Sequence, residues 1–310
     1  MKLKVLSFVL LIALFATGAA LSFAQTPDDE NVRGSFLTTR PKTADKPTKS
    51  STSARRSRRR PTAAVAKTST TTTTAPASSM ETSPGKTTEK TEGDTVKKSA
   101  AVQRIGVGLT LFMRDSNGLA VRVDPNHDFH KGDRVRVLLE TNVDGHLYIF
   151  NTTDGGDPVM IYPDVQLDDA GNFMQAHVPF EIPSSLGSDE RLRWFRFDEQ
   201  AGTERLYFVF TREPLPEIPI EDDLVKYCGE NKKTCAWHPT SALWTRLQKE
   251  LNSVKAARPE GYGRAQTAGE RDATTRGIGL SQDDPEPSLV MMNASSASGL
   301  LVTFLEMVHK

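Results

Sequence analysis

Beyond about residue 100, apolar and polar positions fall into short runs divided by turn residues. Ile105 to Phe112 leads into Asp115-Ser116-Asn117-Gly118 and then into Leu119 to Val123. An Asn-Gly pair between two apolar runs predicts a hairpin. Further runs are Arg134 to Glu140, His146 to Asn151, Pro158 to Tyr162, Phe173 to Ile182, Leu192 to Phe197 and Leu206 to Thr211. Gly, Asp and Asn cluster between them, as at Asp154-Gly155-Gly156-Asp157. Arg134-Val135-Arg136-Val137-Leu138 alternates with period two, which predicts a strand with one wet face. Roughly eight short strands at this spacing predict a mainly β fold, a sandwich-like or barrel body.

One stretch changes period. Thr240 or Ser241 can cap a single amphipathic helix reaching about Val254, with Leu243, Trp244, Leu247, Leu251 and Val254 on one face. Such a stripe reads as core packing. Glu260 to Asp284 reads as a long loop, and the runs Leu289 to Met292 and Leu300 to Val308 read as a final hairpin. Residues 217–310 are thus expected to pack on the β-rich domain of 104–216. The alternative for the last run is a tail that docks on a partner or a membrane surface.

The N-terminal part has neither period. Met1-Lys2-Leu3-Lys4, an apolar run from Val5 to Leu21 and Ser22-Phe23-Ala24 make a signal peptide over 1–24, with cleavage between Ala24 and Gln25. A membrane anchor needs about 20 apolar residues, and this run is short and ends at a cleavage site. The product is expected to be exported, periplasmic or extracellular, and not membrane-spanning. From 25 to 100 the chain is a low-complexity mixture of Thr, Ser, Lys, Arg, Pro and Ala, with hardly an aromatic after Phe36. That composition predicts a disordered basic tether, because it cannot bury enough apolar surface to offset its ordering entropy.

Charge sharpens the division. The chain carries 39 Lys/Arg and 39 Asp/Glu, yet residues 25–100 hold 15 basic against 8 acidic residues and 101–310 hold 22 against 31. A basic tail is joined to an acidic body. Arg55, Arg56, Arg58, Arg59 and Arg60 form its densest cluster. Contact with an anionic surface is one reading, and a solvated run that keeps the tether extended is the other. Export and the lack of interleaved aromatics argue against nucleic acid.

Candidate chemistry is sparse. Cys228 and Cys235 flank a short polar loop, and in an exported chain they are expected to form one structural disulfide. Zinc would need further ligands and only His238 is near, so no metal and no cofactor is expected. His127-Asp128-Phe129-His130 sits between turn residues and reads as a loop. Asp154, Asp157, Asp168 and Asp169 lie in turns, where Asp bonds the local backbone. No nucleophile elbow or phosphate loop is present, and no catalytic residue is assigned.

Several short motifs in order resemble a bacterial domain-of-unknown-function family, number four-three-eight-four. They are Gly132-Asp133, Gly145-His146-Leu147-Tyr148-Ile149-Phe150-Asn151, Ile161-Tyr162-Pro163, Ile182-Pro183 and Gly202-Thr203-Glu204-Arg205-Leu206-Tyr207-Phe208-Val209-Phe210, closing at Pro214-Leu215. His146 stands where the family's pattern has Tyr. The resemblance spans 104–216 and implies a β-rich envelope domain, with no catalytic residues to transfer.

The function these features predict is an exported, non-enzymatic protein- or glycan-interaction module of the bacterial envelope. A structural component of a larger envelope assembly differs from it mainly in whether the partner is permanent. The alternative is an envelope hydrolase using His127, His130 or His146 with a turn carboxylate.

Overall fold

A computed structural model of the chain describes residues 27–42, 103–165, 171–187, 189–231, 235–295 and 298–310. The signal segment with Ala24 and Gln25, and the cluster from Arg55 to Arg60 with the rest of 43–102, lie outside the described residues. So do Asp168 and Asp169. Helix α1 (Pro27–Leu37) precedes β1 (Gly106–Arg114), β2 (Ala120–Arg122), β3 (Asp128–Phe129), β4 (Arg134–Thr141), β5 (Gly145–Thr153) and β6 (Val159–Tyr162). Next come β7 (Phe173–Met174), β8 (Phe180–Ile182), β9 (Phe195–Arg196) and β10 (Gly202–Thr211). The chain continues through α2 (Glu221–Glu230), α3 (Ser241–Lys249), β11 (Ser253–Ala257), α4 (Ala268–Arg276), β12 (Leu289–Asn293) and β13 (Leu300–His309).

The strands make two sheets. The first runs β11-β12-β1-β4-β8, with β2 also on β1 and β9 also on β4; the second runs β3-β13-β10-β5-β6, with β7 also on β5. Period-two alternation decides which side chains meet between them. Val107, Leu109 and Leu111 of β1 and Val135, Val137 and Leu139 of β4 face Leu147, Ile149, Leu206, Phe208, Phe210, Leu301 and Leu305 of the second sheet in one core. The mainly β, sandwich-like architecture is therefore plain. The alternate residues of the second sheet, Tyr148, Phe150, Tyr207, Val209 and Val302, point outward and are buried with Leu224 of α2 and Leu243 and Leu247 of α3. The Thr240 hydroxyl accepts the Leu243 N–H and starts α3. Cys228, in α2, is joined by a disulfide to Cys235, with their Cα atoms 4.7 Å apart.

Several elements depart from the sequence pattern, each for a tertiary reason. The run Phe173 to Ile182 splits: β7 pairs with β5 in the second sheet and β8 with β4 in the first. Between them His177 takes a left-handed backbone, φ 58°, and the chain changes sheets. Leu192 is in a 3-10 turn, Glu190–Arg193, leaving β9 only Phe195–Arg196. Helix α3 ends at Lys249 rather than near Val254, because Val254 lies in β11 and pairs with Met292 of β12. The expected loop at 260–284 contains α4, with a Thr267/Glu270 capping box and Gly277, φ 63°, at its C-cap. Finally, β12 and β13 are not a hairpin. β12 lies between β11 and β1 in one sheet and β13 between β10 and β3 in the other, so the chain crosses the sandwich between them. The Asn293 amide fixes the crossing by donating to the Leu300 carbonyl at 2.9 Å.

Candidate functional site: a groove on the first sheet

Glycine inside a strand weakens it unless something must approach the backbone closely. β1 has two, at 106 and 108. A Cβ at Gly106 would lie 2.8 Å from Met292 Cγ and 3.1 Å from Phe36 Cδ2; one at Gly108 would lie 2.7 Å from Pro287 Cγ and 3.0 Å from Phe36 Cζ. The two glycines thus leave bare backbone on the outer face of the first sheet, and the Phe36 ring, fully buried, lies on it. One helical turn earlier Val32 joins Ala256, Val290 and Met292 in the same small cluster. The expected absence of structure therefore does not extend to 27–42. Val32, Phe36 and Leu37 have helical spacing, and together with Arg33 and Arg40 they find a matching surface, which a composition averaged over 25–100 conceals.

Residues 27–42 thus form a strap over the sheet, and the polar half of the groove takes its two arginines. Arg40 is 2% exposed. Its Nε donates to Glu140 Oε1 at 2.8 Å and its Nη2 to Oε2 at 2.6 Å, a bidentate pair. The remaining donors meet the carbonyls of Ser281, Asp284 and Pro285 at 3.0–3.2 Å. Arg33 donates to the Ala256 and Pro287 carbonyls and pairs with Glu286 at 2.9 Å. Gln282 closes over the end of the strap, its backbone N–H donating to the Pro41 carbonyl and its side chain to that of Arg40.

His177 stands at the centre. Its Nδ1 lies 2.7 Å from Glu140 Oε1 and its Nε2 lies 2.8 Å from the Thr39 hydroxyl, while its ring meets Phe36 edge-on. A neutral ring protonated at Nδ1 accepts from Thr39 at Nε2. A protonated ring donates at both nitrogens, and the Thr39 hydroxyl then donates to the Phe36 carbonyl, 2.5 Å away. Either state is satisfied. A left-handed non-glycine backbone costs on the order of 1 kcal/mol or more, and such strain persists only where the surroundings hold it. Here the His177 N–H donates to the Thr141 carbonyl and its own carbonyl accepts from Leu280, both at 2.7 Å.

The same face continues as a row of buried ion pairs. Arg122 pairs with Glu270 and also donates to the Glu286 carbonyl at 2.9 Å. Burial lowers the Arg122 guanidinium pKa against the opposing pull of Glu270. Arg136, 6% exposed, lies 3.6 Å from Glu181 and stacks on Trp194. The wet face expected for β4 is thus covered. Arg258 shares Glu286 with Arg33. For Glu286, burial alone would raise the carboxyl, but the hydrogen bonds from Arg258 and Arg33 outweigh it and hold the pKa below the ordinary carboxylate value. A cleft of about 390 Å³, lined among others by Arg122, Arg258, Arg264, Asp283 and Glu286, opens beside the strap.

The histidines singled out from sequence lie elsewhere. His127 packs edge-on against Phe129, and the His130 N–H donates to the Asp133 carboxylate in the turn it shares. His146 Nδ1 is 2.9 Å from the Asn172 amide oxygen. The histidine that meets a carboxylate is His177, hidden in a run that reads as continuous strand. Asp154 bonds beyond its own turn: its carboxylate accepts the N–H of Thr203, 49 positions on at the start of β10, at 2.7 Å. Among the described residues no group of three or more His, Cys, Asp or Glu is placed to hold a metal ion, and no helix is long and apolar enough to cross a membrane.

Residues 128–214 match a family model described as a domain of unknown function (DUF4384). The match starts at β3 and ends just past β10, so it includes Glu140 and His177 but neither α1, β1 nor the 266–288 wall of the groove. No curated protein and no solved structure matches the chain.

Proposed function

We propose that the protein is an exported, non-enzymatic interaction module of the bacterial envelope that binds protein or glycan. One observation carries this reading: the outer face of the first sheet holds a chain segment, 27–42, as a binding domain holds a peptide. Apolar anchors sit on bare backbone, and two arginines are read by carboxylates and carbonyls. The ionisable groups of that face are engaged in fastening. While α1 is docked, the chain on either side of 43–102, at Lys42 and at Gln103, is held on the body. Contact of Arg55, Arg56, Arg58, Arg59 and Arg60 with an anionic envelope surface is part of the proposal. Capture from an envelope extract on immobilised mature protein tests it. Specific retention of an envelope protein or polysaccharide is expected, and an eluate identical to that of a blank matrix would refute it.

The second reading, a hydrolase with a His/carboxylate site, has the His177–Glu140 pair and the adjacent Thr39 hydroxyl in its favour. Against it, the imidazole is 4% exposed and the hydroxyl belongs to the strap that covers it. Hydrolysis of envelope glycan or ester substrates that vanishes in His177→Gln would establish it.

A further inference from the structure

We propose that the groove takes the 27–42 strap of a second copy of this chain, so that copies are linked by exchanging straps. This deepens the interaction-module reading and rests on it. The strap meets its body only through side chains and backbone groups; its covalent connection is the 60-residue segment 43–102. Fully extended, such a segment spans at most about 200 Å, so chain length does not confine the strap to its own body. Every contact it makes is available on an identical body. The anchors repeat at spacing four, Val32, Phe36 and Arg40, and each enters a receptor of matching chemistry: the Ala256/Val290/Met292 cluster, the Gly106/Gly108 floor and the Glu140 carboxylate. Partner specificity is thus encoded within a single strap.

What opposes exchange is mass action. A covalent connection gives its own strap an effective concentration on the order of mM. Purified wild-type chain is therefore expected to be monomeric at micromolar concentration and to dimerise as it approaches that range. Removing the advantage of the own strap should move exchange to low concentration.

Charge reversal does this. In full-length Arg40→Glu the strap is repelled by its own groove, and in full-length Glu140→Arg the groove repels its own strap. Each alone should be a monomer with a protease-sensitive strap. Mixed, the unaltered strap of the second meets the unaltered groove of the first, and the two reversed partners also match, so a 1:1 heterodimer is expected in sedimentation at micromolar concentration. Two folded monomers that stay separate would overturn the proposal. Should Glu140→Arg fail to fold, a fluorescent peptide of residues 27–42 decides, titrated onto the full-length Phe36→Ala/Arg40→Ala chain. Saturable binding, weakened at least tenfold by Phe36→Ala in the peptide, supports exchange, and no binding to a folded chain overturns it. Because only purified chain is used, either failure leaves envelope capture standing on its own.

Discussion

The two outer faces of the sandwich are covered in opposite ways. On the second sheet the cover follows directly in sequence: α2 begins ten residues after β10 ends, and the contact is apolar. Trp244 lies 5.6 Å from the Phe150 ring and 4.8 Å from Tyr207, with Leu247 beneath. On the first sheet the cover comes from far away. Arg40 and Glu140 are 100 positions apart, and Arg40 and Ser281 are 241 apart. Burial of apolar surface is non-directional and dominates folding. A buried ion pair offsets its desolvation only when its geometry is complete. Closing a long connection adds an entropic cost that grows slowly with its length. The second face is therefore part of the core, and the cover of the first is expected to open before the core does.

The largest effects should separate the two faces. Leu247→Ala empties a site that is 1% exposed and is expected to cost about 2–5 kcal/mol of global stability, seen as a lower melting temperature. Phe36→Ala removes a similar contact, about 3–5 kcal/mol, but charges it to strap docking. Protease should then cut within 27–42 while the melting temperature of the body falls less than in Leu247→Ala. Equal losses of melting temperature would show that the strap is as much a part of the core as α3. Next, Arg40→Ala leaves Glu140 buried and is expected to weaken docking by about 3 kcal/mol. Adding Glu140→Gln should cost much less than its single effect, and strictly additive penalties would show that the pair is not coupled. On the other face, Cys228→Ser opens a short loop worth roughly 2 kcal/mol in the chain-entropy model. It should lower the melting temperature without exposing the strap.

How much of this was legible varies with the kind of signal. Where alternation and turn chemistry agree, as from Ile105 through Gly118 to Val123, the hairpin appears as expected, with the Gly118 N–H donating to the Asp115 carbonyl at 3.0 Å. Motif order also found the DUF4384 segment, although the match begins at 128 rather than 104. The groove was not legible, because its parts are individually unremarkable: two strand glycines, an aromatic in a polar segment, a histidine in an apolar run. Gly106 and Gly108 were the available clue, since close approach is a standing reason for glycine in a strand. What approaches them could not be read, because Phe36 lies 70 positions before Gly106. Helix α4 was hidden by its polarity. Its one strong mark, Thr267 followed three residues on by Glu270, is a capping box that precedes no apolar run.

The smallest effect expected is one of pH, and it sharpens the contrast because a carboxylate fastens the strap. Glu286 bridges Arg33 of α1 and Arg258 of the body, and those bonds hold its pKa below the ordinary value despite burial. A carboxyl depressed in the folded state contributes stability that is fully present above its unfolded pKa, about 4.3, and is lost as pH falls through the lower folded value. The strap should therefore loosen in acid below about pH 4. With the side chain 30% exposed, solvent screening limits the contribution to about 0.2–1 kcal/mol. Fluorescence anisotropy of a dye placed through Ser35→Cys reports strap mobility directly. In the otherwise wild-type chain, anisotropy should fall as pH drops from about 5 to 3. In Glu286→Gln it should start lower at neutral pH and fall less. An unchanged acid slope in that variant would mean that another group, rather than Glu286, gates the strap, while the docking through Phe36 and Arg40 would stand.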